Sequence, residues 1–151
     1  MKVYACIAAA VSVLALSTPA SAQFARPDQA IKYRQSAMYV MNNHMGRIGA
    51  MVSGRVPYDA KVAADNADIV ATVSKLPWVG FIPGTDTGGN TKAKSEIWTE
   101  QAKFKEQSEK MMDDTAKLAA AAKTGNLDAL KTAFNTTSAT CKACHDAYQK
   151  Q

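Results

Sequence analysis

Cysteine and histidine are scarce. The 151 residues hold three cysteines, Cys6, Cys141 and Cys144, and two histidines, His44 and His145. A zinc site built on residues 141–145 has only His44 left to recruit, too small a supply for a closed ligand set. Strand signals are also missing. Without a period-2 alternation near Cys141 and Cys144, a thioredoxin-like redox pair has none of the strand context it needs. Basic residues outnumber acidic ones 18 to 13, but they are scattered rather than massed with aromatics, which excludes a nucleic-acid footprint. The longest apolar run, Val3 to Leu16, is too short and too closely followed by small polar residues for a membrane span.

That run follows Lys2 and leads into Thr18-Pro19-Ala20-Ser21-Ala22, where Ala20 and Ala22 form an A-x-A cleavage signal. Residues 1–22 are therefore read as a signal peptide that leaves with Cys6, and residues 23–151 as a single mature domain with no membrane insertion. An exported chain whose two remaining thiols are Cys141 and Cys144 points to the periplasm.

Those thiols belong to Cys141-Lys142-Ala143-Cys144-His145, a C-x-x-C-H stretch that reads as a covalent attachment site for one haem c. On a helix, residues three and four apart share a face. Both sulfurs can then reach vinyl groups of one porphyrin, and His145 can become the proximal iron ligand.

The rest of the chain reads as helices. Pro27 and Asp28 open the first, along which Ile31, Met38, Met45 and Val52 recur every seven residues, with Met41 and Ile48 between them. Arg34 interrupts this apolar seam, so its guanidinium is expected to meet an anion, for which a haem propionate is the candidate, with Gln35 as a second donor. The second helix carries Val62, Ile69, Val73 and Leu76 on one side, and Pro77 stops it. Residues 77–95 form the one long loop, anchored by Trp78 and Phe81, with a glycine-rich second half at 84–91 that reads as mobile. Ser95-Glu96 opens a third helix with Ile97, Phe104, Met111, Leu118 and Ala122 on its seam, where Ser108 and Thr115 leave room for a flat cofactor. Gly125 and Asn126 separate it from the fourth, whose inner seam holds Leu127, Leu130, Phe134, Thr137, Cys141, Cys144 and Tyr148. The fold class is all-α: an antiparallel up-down-up-down four-helix bundle with covalently bound haem in its core.

Function then turns on the sixth iron position. Met38 lies one turn past Arg34 on the same stripe, over the expected distal face, where its thioether either ligates the iron or covers it. His44 lies farther along the helix and flanks the seam, so it reads as a rim residue. Cleaving an O–O bond needs a polar group above the iron, and the expected distal stripe of Met38, Met41 and Ile31 supplies none, so the chain is not read as an enzyme.

With these motifs the chain resembles the class II c-type cytochromes, and within them the cytochromes c′. The likeness is carried by residues 23–27, Tyr33-Arg34-Gln35-Ser36, Leu76-Pro77-Trp78 with Phe81, Pro83-Gly84-Thr85, Glu96-Ile97-Trp98, and Cys141 through Tyr148, with the haem motif near the C-terminus. The resemblance implies a five-coordinate, high-spin haem that binds NO and CO, and a periplasmic role in NO buffering or electron transfer with an unidentified redox partner. It implies propionate contacts from Arg34 and Gln35, a haem contact from Glu96, and often a homodimer through the first two helices. Two departures stand out. Met38 replaces a frequent Leu on the distal face, and Gln149 stands where close relatives carry Arg.

Overall fold

A computed structural model describes residues 23–151; the signal peptide expected at 1–22 lies outside the described residues, with Cys6. Helix α1 runs Pro27–Val52, with proline in its first turn and Arg26 paired to Asp28 at 3.1 Å. Gly54, at φ 73°, takes the chain out of it. Helix α2, Ala60–Val73, starts where the Asp59 carboxylate accepts the Val62 N–H at 2.9 Å. The chain then makes a 3₁₀ turn, Pro77–Gly80, and an irregular stretch over 81–95. Helix α3 is the single turn Glu96–Thr99, α4 runs Gln101–Lys123 and α5 Leu127–Tyr148. Between the last two, Gly125 sits at φ 69° and the Asn126 side chain accepts from Asp128 and Ala129 N–H, the stop and cap expected there.

Two expectations need correction. The helix expected to start at Ser95 breaks at Glu100, at φ −114°, ψ 41°. The break separates the turn carrying Trp98, whose indole N–H donates to the Ile82 carbonyl at 3.1 Å, from the long helix that packs in the bundle. The apolar side expected for the second helix is also its outer side. Val62, Ile69 and Leu76 are 38 to 44 % exposed, and α2 turns Ala63, Asn66, Ala67 and Val70 inward instead. Small side chains let α2 approach its neighbours closely, and that contact outweighs the larger but more distant stripe.

The dry core lies at the end of the bundle where α1 turns into α2 and α4 into α5. There Ile48, Val70, Leu118 and Leu130 are buried almost completely among Ala63, Ala67, Ala119 and Ala122, each large side chain contributing about 1.5–3 kcal/mol. Helix α4 packs along α5 and α2, and α2 along α1, whereas α1 and α5 meet far less. The bundle is therefore open between α1 and α5, at the end away from this core.

The 77–95 stretch spans that opening. A Cβ on Gly80 would lie 2.7 Å from the Ala30 carbonyl, so glycine is what lets this segment reach the α1 backbone. At its other end Ala93 bridges to Gln149, with Lys94 N–H donating to Tyr148 O at 2.9 Å and Lys150 N–H to Lys92 O at 2.7 Å.

Helices α4 and α5 are also pinned through a buried acid. Asp114, 3 % exposed, accepts from Thr140 Oγ1 at 2.6 Å and from Lys110 Nζ at 2.7 Å, while Thr137 Oγ1 donates to its backbone carbonyl at 3.2 Å. Burial alone would push this carboxyl up. The hydrogen bonds from Lys110 and Thr140, with the charges of Lys110 and Lys117, outweigh it and hold the carboxyl below its ordinary value of 3.8. The contribution to stability is thus complete above 3.8 and is lost as pH falls through the lower folded value. Urea unfolding followed by circular dichroism should show a midpoint that drops at acid pH in the native chain, and a weaker drop in Asp114→Asn.

Candidate functional site

Two adjoining cavities occupy the open side. The first, about 360 Å³, is walled by Met38, Met41 and Met45 of α1, Val70 of α2, Met111 and Thr115 of α4, and Thr137, Cys141, Cys144 and His145 of α5. The second, about 440 Å³, is walled by Arg34, Gln35, Met38, Trp78, Phe81, Phe104, Cys144, His145 and Tyr148, with residues 90–93 at its rim. Met38, Asn42, Trp78, Cys144 and His145 line both. They form one cleft with thioethers and aromatics on one side and the C-x-x-C-H turn on the other.

The aromatic side is a packed cluster. Phe81 meets Phe104 edge-on at 4.9 Å, Phe104 meets Tyr148 at 5.3 Å, and Trp78 stacks on Phe81 at 6.1 Å. Trp78 is fixed further by its indole N–H, which donates to Ser74 O at 2.7 Å. These rings make a rigid, apolar wall of the kind that holds a flat ligand.

Cys141 and Cys144 are free thiols, both half-buried, and His145 is exposed at the turn end. Burial pushes both thiols up, Cys144 to about 11, so both are protonated at neutral pH. Protonated thiols are poor nucleophiles and poor zinc ligands, which disfavours disulfide exchange and zinc as the use of this pair. The donor set fits a c-type haem: two sulfurs three residues apart and an imidazole beside them, all on the wall of a cleft otherwise mostly apolar.

Arg34 lies deeper than its exposed neighbour Gln35. It is 3 % exposed, yet its partners are neutral. One terminal nitrogen donates to Gly80 O at 2.9 Å and Thr85 Oγ1 at 2.7 Å, the other to Thr85 O at 2.6 Å and Thr91 Oγ1 at 2.8 Å. The guanidinium also lies 4.4 Å from the centre of the Phe81 ring. An anion is therefore not required to satisfy it. Burial lowers its pKa to about 10 while the Asp86 charge opposes the shift, and the group remains a cation at neutral pH. Thr85 is fully buried, so the 84–91 segment, expected to be loose, carries its own anchor.

The other expected residues separate. Gln35 is exposed at the rim of the second cavity and donates to Asn90 O at 2.9 Å. Glu96 is exposed on α3 beside Ser95 Oγ, 3.3 Å away, and lines neither cavity; of that turn it is the buried Ile97 that reaches the second cavity. Ile31 is buried and also lines neither; Met45 and Asn42 take its place on the cleft wall. His44 turns to α2, its Nδ1 2.7 Å from Asn66 Oδ1. Asn42 was legible in principle, since it lies four residues after Met38 on the same stripe. Asp114 was signalled only by lysines at 110 and 117, one turn away on either side.

The profile of the Cytochrome C' family matches residues 29–149. The chain belongs to the cytochrome c′ family. A cytochrome c′ of Alcaligenes xylosoxydans xylosoxydans is 47% identical over 129 residues, covering 85% of this chain and 99% of that protein. One from Rubrivivax gelatinosus is 46% identical, over 85% of this chain and all of its own length. The crystal structure of cytochrome c′ from Rubrivivax gelatinosus superposes with a TM-score of 0.82 at 47% identity, over 85% of this chain and 100% of that one. A nitric oxide complex of a cytochrome c prime variant from Alcaligenes xylosoxidans gives a TM-score of 0.80 at 47% identity, over 85% and 99% of the two chains. Its cytochrome c′ membership makes this chain a haem protein with a four-helix-bundle fold, and c-type covalent attachment is what that family implies for its cleft.

Proposed function

We propose that the chain is a periplasmic haem c protein, loaded once per chain through Cys141 and Cys144, with His145 on the iron and a distal face that takes NO or CO. It acts in NO buffering or electron transfer rather than as an enzyme. The observation that carries this reading is that Met38 shares both cavities with Cys144 and His145, so one thioether faces the attachment turn across the cleft. The bound haem supplies an iron that exchanges electrons and binds small gases. The chain supplies the rest. His145 would hold the iron, Met38, Met41 and Trp78 would keep water from the facing wall, and Gln35 would meet a propionate at the rim with Arg34 buried behind it. The resemblance to a protein solved with nitric oxide supports a gas as the ligand.

Residues 1–22 serve as the export signal in this reading. The exposed side chains of Val62 and Ile69 on α2 and of Leu76 just beyond it, with Tyr33 and Val40 exposed on α1, suit a homodimer through the first two helices. A redox partner is unidentified.

Methionine on the cleft wall also favours a second reading, a low-spin electron carrier with Met38 as sixth ligand. Visible and EPR spectra of the purified ferric and ferrous protein, before and after NO, separate the two. A high-spin ferric spectrum with a ferrous form that takes up NO makes Met38 a lid. A low-spin spectrum with a sulfur-to-iron charge-transfer band, lost in Met38→Ala, makes it a ligand and sinks the five-coordinate reading.

A further inference from the structure

Asp114 is an ionisable group inside the bundle that the cleft does not use. It lines neither cavity, but it stands directly behind the attachment turn, on the side of α5 that faces α4. Its carboxylate is held by Thr140, the residue before Cys141, and its backbone carbonyl by Thr137, which is on the wall of the first cavity. The two lysines that accompany it are of another kind. The side chains of Lys110 and Lys117 are 60 % and 74 % exposed against 3 % for Asp114, and the nearer ammonium is 2.7 Å from the carboxylate while the other is 3.7 Å away. Water screens the ammonium heads, whereas the carboxylate acts through protein. On the cleft side the anion therefore dominates the local field.

We propose that Asp114 sets the redox equilibrium of the iron, acting as a fixed internal anion behind the Cys141 turn that favours the ferric state over the ferrous. The proposal rests on the haem reading above. One elementary charge about 10 Å away at an effective dielectric of about 20 changes a one-electron equilibrium roughly tenfold. Asp114 is a positioning and field residue here, since it touches neither the iron ligand nor the gas.

The test is a spectroelectrochemical titration of the haem-loaded protein at neutral pH. Asp114→Asn keeps an acceptor for Thr140 and removes the charge; the reduction constant should rise about tenfold, which is about 59 mV for one electron. Thr140→Val removes the hydrogen bond and keeps the charge, and should move the potential far less. Lys110→Ala and Lys103→Ala, exposed changes that avoid any folding difficulty, remove water-screened charges and should each move the potential far less than Asp114→Asn. A folded Asp114→Asn protein with reduced stability and an unchanged potential would show a structural pin only and overturn the proposal. So would a shift from Lys110→Ala as large as that from Asp114→Asn. A native chain with no covalent haem overturns both this and the reading beneath it, and the visible spectrum shows that before any titration.

Discussion

Changing Cys141 and Cys144 together to serine is expected to abolish covalent haem attachment while leaving a helical chain. A thioether forms when a thiol S–H adds across a vinyl group, giving a C–S bond with the proton on the neighbouring carbon, and a serine hydroxyl does not make that bond. The scaffold should tolerate the exchange. Both thiols are only half-buried on the wall of the cleft, and a serine hydroxyl inside a helix can donate to the carbonyl one turn back. The single variants should each keep one bond and lose haem only under harsher extraction. Acid–organic extraction followed by intact-mass measurement reads the result directly. Haem mass retained on the double variant would sink the attachment site. The bonded haem stays on the unfolded chain, but its apolar surface leaves water only when the bundle folds around it, so the double variant should also unfold at lower denaturant than the loaded protein.

Replacing Arg34 with alanine should destabilise the chain by about 3–5 kcal/mol. Its side chain makes four hydrogen bonds to Gly80, Thr85 and Thr91 and covers the Phe81 ring, all but closed to water. Truncation leaves the Thr85 carbonyl and hydroxyl buried with one partner fewer each, and opens a void under the loop. Arg34→Lys should recover less than half of the loss, since an ammonium cannot fork to acceptors on both sides of a planar group. Urea unfolding followed by tryptophan fluorescence is well suited, because Trp78 and Trp98 lie on the segments that Arg34 holds. A loss below about 1 kcal/mol would mean that the clamp is secondary to the packing of the aromatic cluster.

The four long helices, their order and the position of Cys141, Cys144 and His145 on one wall were legible in the sequence, because heptad spacing and capping residues act locally. The orientation of α2 was not. Ala63, Ala67 and Val70 are weaker apolar signals than Val62, Ile69 and Leu76, and only the closeness of α1 and α4 decides which set is buried. Arg34 was recognised as a cation within an apolar seam, but its partners come from residues 46 to 57 positions later, beyond any local pattern. Glu96 enters the haem set by likeness alone, and the single turn of α3 sends Ile97 rather than Glu96 to the cleft wall. Asp114 was hidden beside Thr115, which fits the seam, and the signal that marks it is the pairing with Thr140 across two helices.

The loop over 81–95 is tied at one end to α1 through Arg34 and at the other to the last turn of α5 through Tyr148, Gln149 and Lys150. Those are the neighbouring long helices of the bundle that meet least. The segment works as a calliper. Arg34 holds it at Gly80, Thr85 and Thr91 and the end of α5 holds it at residues 92–94, so its length enters the width of the cleft together with the side chains inside. Adding or deleting a residue in this loop regauges the gap while every lining residue stays the same, so two relatives with identical walls can admit ligands of different girth.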